Sequence, residues 1–140
     1  MKTSVRAFTL IEILVVVAII GLLAGVLVNN YDKIFDDAKV KMAKIYVKTN
    51  LRTSLERYKM DLGSYPSTSD GLAALLAAPA SAAENWHGPY AEADGGKLQP
   101  DPWLEPYQYR FPGTHNKTKY DLFSKGPDKI EGTEDDIGNW

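Results

Sequence analysis

Apolar residues fall along this chain in two regimes. Residues 8–28 are almost wholly apolar, interrupted by Thr9, Glu12, Gly21 and Gly25, whereas from Asn29 onward apolar and polar positions alternate as in soluble elements. At ~1.5 Å per residue, a helix over 8–28 is ~31 Å long, about one bilayer core. Beyond it Tyr31, Ile34, Phe35, Ala38, Met42, Ile45, Leu51, Leu55, Tyr58 and Leu62 step by threes and fours, while Asp32, Asp36, Lys39, Lys44, Lys48 and Arg52 take the other faces. That spacing predicts an amphipathic helix. No proline precedes Pro66 and no glycine falls between Gly25 and Gly63, so one helix is expected from Phe8 to about Met60, ~80 Å long at ~1.5 Å per residue. Its second half packs one face on a domain. The alternative is two helices broken at Asn29 and Asn30.

Gly63 and Pro66 end that helix, and Gly71, Leu72, Ala73, Ala74, Leu75 and Leu76 predict a short helix stopped by Pro79. Short strands between turns are expected in the blocks Trp86-His87-Gly88-Pro89-Tyr90, Asp101-Pro102-Trp103 and 106–113, the last alternating Tyr107, Tyr109 and Phe111 against Gln108 and Arg110. Tyr120, Asp121, Leu122, Phe123 and Ser124 read as another strand. The aromatic residues of this part serve core and turn packing rather than a ligand cage.

Composition narrows the picture. The 140 residues suit one domain, of which about 110 remain for a globular part large enough to bury a core. A net charge of -2 without a basic, aromatic-interleaved stripe speaks against nucleic acid as a partner. Cysteine is absent, which removes disulfide and thiolate chemistry and decides nothing about compartment. The histidines, His87 and His115, lie in loop-like sequence outside any metal-binding spacing, and neither a phosphate loop nor a nucleophile elbow is present. The chain is therefore expected not to be an enzyme.

Two segments carry candidate chemistry. Lys2 and Arg6 precede the apolar run, which orients the cationic end to the cytoplasm and sends the rest outward. A cleavable secretory signal, a plain anchor and a prepilin-type terminus all satisfy that layout. Glu12 weighs against the first two, because a carboxylate at the centre of a bilayer costs about 2.5–3.5 kcal/mol and such residues usually mark function. At the other end, residues 125–140 hold Asp128, Glu131, Glu134, Asp135 and Asp136 against Lys125 and Lys129, spaced by Gly126, Gly132 and Gly138. Carboxylates and carbonyls on a glycine-bent loop suit Ca²⁺. A solvated acidic tail explains the same composition.

The run Arg6-Ala7-Phe8-Thr9-Leu10-Ile11-Glu12 followed by apolar residues resembles the class III signal of type IV pilins and pseudopilins. The resemblance implies that a prepilin peptidase cuts between Ala7 and Phe8, methylates the new amine and leaves the helix on the mature chain. It gives Glu12 an assembly role, its carboxylate pairing with the terminal amine of a neighbouring subunit. Two positions depart from the pattern: Ala7 stands where the family has glycine, and Asn29 where it often has proline.

Farther on, Tyr65-Pro66, Gly71-Leu72, Trp86, Gly88-Pro89-Tyr90, Asp101-Pro102-Trp103, Pro106-Tyr107, Tyr109, Pro112-Gly113, Tyr120-Asp121, Ser124, Gly126, Asp128 and Asp135-Asp136-Ile137 resemble, as an ordered set, the major pseudopilin of type II secretion systems. This implies an α+β, pilin-like fold: a long spine helix on an antiparallel sheet of about three strands. The implied organisation is a leader at 1–7, a transmembrane and assembly segment at 8–28, and a periplasmic domain at 29–140 with a calcium loop at 122–137. In that loop Asp128 and Asp135 would be side-chain ligands and Lys125 and Ile130 would offer backbone oxygens, with Asp136 and Ser124 as further members. The implied role is the repeating subunit of a homo-oligomeric helical filament that helps export folded proteins. It would be anchored once in a bacterial inner membrane, with minor pseudopilins and an inner-membrane assembly platform as partners. A subunit of a surface or uptake pilus, or a tethered calcium-dependent binding module, are the alternatives.

Overall fold

The computed structural model describes the backbone of residues 8–80 and 83–140 and, within these, side chains outside 26–33 and 83. The leader at 1–7, Ala7 included, lies outside the described residues. A first helix, α1, spans Leu10–Ile45 and runs on through Asn29 and Asn30, so the break at those asparagines does not occur. It passes into a π-helical turn, Tyr46–Leu51, and then into α2, Arg52–Leu62. Gly63 closes α2 in the left-handed conformation (φ 81°), its N–H reaching the Lys59 carbonyl at 2.8 Å, a stop that residues with a Cβ make only under strain. Contacts divide the chain into two units, the second being Ala38–Trp140.

In the first unit, every described apolar side chain of 8–25 is exposed. Among the described residues no helix is long and apolar enough to cross a membrane. The expected span at 8–28 reaches into 26–28, whose side chains lie outside the described residues.

In the second unit the helix buries Ala43, Val47, Leu51 and Leu55. A strict four-residue repeat drifts around an α-helix of 3.6 residues per turn. The wider π-helical turn takes up that drift and keeps all four on one face. Hydroxyls one turn on bond two of its carbonyls, Thr53 Oγ1 donating to Thr49 O at 2.8 Å and Ser54 Oγ to Asn50 O at 3.2 Å.

That face packs on a three-stranded antiparallel sheet in the order β1-β2-β3, with β1 at Gln108–Arg110, β2 at Asp121–Ser124 and β3 at Ile137–Gly138. Tyr109 pairs with Leu122, and Ser124 with Ile137. All of β2 is buried. Leu122 joins the core with Val47, Leu51, Tyr58, Tyr65 and Leu75, while Phe123 is covered on the opposite face by the Trp140 ring (5.5 Å) and the Arg110 guanidinium (5.6 Å). The α+β pilin-like architecture is thus the observed one.

Two expected strands are not strands. The Asp101 carboxylate accepts from the N–H groups of Trp103 (3.0 Å) and Glu105 (2.8 Å), which winds the block into a turn. Trp86 and Tyr90 pack edge to face at 5.6 Å and take their hydrogen bonds individually, Trp86 Nε1 donating to Ala74 O and Tyr90 N to Leu75 O, so that no ladder forms. Gly71–Leu75 is a 3₁₀ turn.

Candidate functional site

At the N-terminal end, Glu12 lies in the first turn of α1. Its N–H points at Thr9 Oγ1 (3.3 Å), and its Oε2 at the N–H of Thr9 (3.4 Å), a reciprocal capping box. The carboxylate is exposed and remains open to a further cation. Phe8, just outside the helix, is exposed as well. The Thr-x-x-Glu spacing was legible, but the apolar run drew the reading of Glu12 toward lipid.

At the C-terminal end, the loop after β2 turns at Gly126 (φ 67°), where a Cβ would stand 2.3 Å from the Asp135 carbonyl oxygen. Only glycine lets the two limbs of the loop approach so closely. Across that contact the Asp128 N–H donates to Asp135 Oδ2 at 3.2 Å, and Asp128 Oδ1 accepts from the Ile130 N–H at 2.8 Å. Thr133 Oγ1 contacts both Asp135 Oδ1 (2.6 Å) and the Ile130 carbonyl (3.1 Å), and its hydroxyl holds the Asp135 carboxyl below the ordinary range. Asp136 Oδ2 accepts from the Gly132 N–H at 2.7 Å, while its buried Oδ1 has no hydrogen-bond partner. The structure therefore links Asp128, Ile130 and Asp135 in one hydrogen-bonded loop. Lys125 begins it, and Asp136 closes it beside β3. Among the described residues no three acidic or histidine side chains converge as a metal cluster. The available donors are carboxylates, backbone carbonyls and one orphaned carboxylate oxygen, a hard-oxygen set of the kind Ca²⁺ accepts.

Sequence reasoning named Ser124 as a further ligand but missed the hydrogen bonds and ion pairs that fasten this loop. Ser124 Oγ donates to buried Asp101 Oδ2 and accepts from the Gly126 N–H at 3.1 Å, tying the 101–105 turn to the start of the loop. Lys129 Nζ pairs with Glu105 at 3.2 Å, and Arg110 pairs with Glu131. Asp121, fully buried, accepts from the N–H groups of Thr114, His115 and Asn116 and from the Thr114 hydroxyl. Burial pushes its carboxyl up, but these donors outweigh burial and hold it at about 2. Asn139 completes β3, its Oδ1 accepting from the Leu122 N–H at 3.0 Å and its Nδ2 donating to the Tyr120 carbonyl at 3.0 Å. His115 stacks on Trp140 at 3.9 Å, and exposed His87 stands 3.7 Å from Asp61.

Comparison with known proteins covers both ends of the chain. Residues 30–140 match the family "Type II secretion system (T2SS), protein G", and residues 2–28 match the "Prokaryotic N-terminal methylation motif". The type II secretion system core protein G of Pseudomonas aeruginosa is 46% identical over 140 residues, covering 95% of this chain and 93% of that protein. The corresponding protein of Pectobacterium carotovorum is 44% identical, covering 96% and 84%. Among solved structures, the major pseudopilin from the type 2 secretion system of enterohaemorrhagic Escherichia coli superposes with a TM-score of 0.64 at 34% identity, over 79% of this chain and 88% of that one.

Proposed function

The chain belongs to the type II secretion system protein G family, the major pseudopilins, and on that premise we propose that it is the repeating subunit of a periplasmic pseudopilus, polymerising through its N-terminal helix to help export folded proteins across the outer membrane. One observation carries this reading: the described part of 8–25 leaves every apolar side chain uncovered. Leu10, Ile11, Leu14, Val17, Ile20 and Leu23 point outward all around the helix, and burying each is worth roughly 1.5–3 kcal/mol. Lipid covers them in the free subunit, and neighbouring helices cover them in the filament.

In this reading a prepilin peptidase cuts between Ala7 and Phe8, removing Lys2 and Arg6. The helix crosses the inner membrane once, with the domain in the periplasm. Minor pseudopilins and an inner-membrane platform start and drive the polymer. The role is structural rather than catalytic. Ca²⁺ would be held by the carboxylates of Asp128 and Asp135 and the carbonyls of Lys125 and Ile130, with Asp136 adjoining. A divalent cation there would offset part of the charge of a loop with five acids. Deletion of the gene tests the function: exported proteins should accumulate in the periplasm and be released again on complementation. Unchanged export would contradict the proposal.

A further inference from the structure

Two surfaces of the Ala38–Trp140 unit expose aliphatic side chains that packing within the chain does not explain. On the helix, Met42 (60% exposed) and Ile45 (51%) lie one turn apart, beside exposed Lys41, Lys44 and Lys48. At 100° per residue Lys41, Met42, Lys44 and Ile45 occupy one continuous arc opposite the buried Ala43, and Lys48 follows in the wider turn. Among the described residues no ion pair engages the three lysines. The second surface lies on the loops. Leu104 (80% exposed) and Ile130 (59%) flank the Lys129–Glu105 ion pair, and Ile130 is bordered by exposed Asp128, Glu131 and Glu134.

Leu104 is held at φ 67°, a conformation that leucine rarely adopts. Its N–H bonds the Asp101 carbonyl at 2.9 Å, and the Asp101 carboxylate grips the N–H on either side of it, at Trp103 and Glu105. Strain of this kind persists only where the surroundings impose it, and it gathers at functional positions. Here its result is a leucine presented to solvent.

We propose that these surfaces meet between copies: the Met42 and Ile45 face of one subunit, with its lysine border, docks on Leu104 and Ile130 of a second copy, with their acidic border. The charges are opposite and the apolar centres alike, as complementary patches require. Because the two patches differ, the contact is heterologous, and such contacts propagate into open filaments when they do not close a ring. The proposal rests on the pseudopilus reading. It adds a lateral contact between domains to the assembly of the N-terminal helices.

Filaments of the unaltered full-length chain, produced with the secretion machinery, are examined first and report on the pseudopilus reading itself. Leu104→Asn keeps the turn, since asparagine tolerates this conformation, and removes the apolar group. Met42→Glu spoils the helical patch. Each should lower filament yield at least tenfold at unchanged subunit level. The chain has no cysteine, so Ile45→Cys and Leu104→Cys together should form an oxidised ladder in steps of the subunit mass within the filaments, which neither single variant gives. Normal yield from both Leu104→Asn and Met42→Glu would overturn the proposal. So would assembled double-cysteine filaments without a ladder, or adducts of another protein's mass.

Discussion

Asp121 shows how one residue reverses the expected effect of burial. A carboxylate with no exposure should resist ionisation, yet the donors from Thr114, His115 and Asn116 keep it charged down to about pH 2. Its folded value lies below the unfolded value of ~3.9, so its stabilisation is full above ~4 and is lost as pH falls through about 2. The difference corresponds to roughly 2–3 kcal/mol. Asp121→Asn should therefore lower stability at neutral pH by at least that amount and flatten the acid limb between pH 4 and 2, read as denaturation midpoints against pH. An unchanged acid limb would show that another group governs it. Glu12 belongs to the same scale. Its capping partner Thr9 explains how the helix starts, but the exposed carboxylate can also take a neighbour's amine. Glu12→Ala should insert in the membrane as before and fail to assemble, and normal filament yield would refute the pairing.

At the scale of elements, the sequence reading went furthest where one periodicity dominates. The helix, its end at Gly63 and the alternating strand at 108–110 were legible because spacing and a glycine stop determine them. The π-helical turn was not. The sequence pattern puts Met42 and Ile45 on the packing face, whereas the structure leaves both exposed and buries Ala43, Val47, Leu51 and Leu55 at steps of four, whose drift relative to 3.6 shows only when the core face is known. Asp101-Pro102-Trp103 reads as a strand because the competing side-chain bonds of Asp101 are not visible in a polar/apolar pattern. The short β3 was hidden in an acidic segment, where Asn139 supplies what hydrophobicity does not. Among the candidate residues, Asp128 and Asp135 were nameable from the family pattern, whereas Asp101 and Lys129 act through long-range contacts that one sequence does not reveal. The π-helical turn gives a test. Leu51→Ala should cost ~2–5 kcal/mol, whereas deleting Lys48 turns the buried steps of four into four, three and four, which an ordinary α-helix keeps on one face, and should cost less than Leu51→Ala. A deletion as costly as Leu51→Ala would mean that the wider turn does not serve to keep the face in register.

At the scale of the whole molecule, the acidic loop joins stability to assembly. Five carboxylates within 128–136 repel, and surface pairs with Lys129 and Arg110 offset little of that. A cation that binds only the folded loop stabilises it by mass action. A fragment beginning near Asn30 should melt lower in chelator than in calcium. Asp128→Ala or Asp135→Ala should erase most of the difference, and Glu131→Ala or Glu134→Ala should leave it. Equal melting in both solutions would make the acids a solvated tail.

If this chain is a polymer subunit, copies of itself cover its apolar helix. Fibres sheared from cells that overproduce it with the secretion machinery test that most directly, by electron microscopy with terminal sequencing of the purified material. Filaments built of this chain are expected, every subunit beginning at Phe8. Membrane-bound monomers with no fibres, or a mature terminus near Ala24 or Gly25, would contradict it.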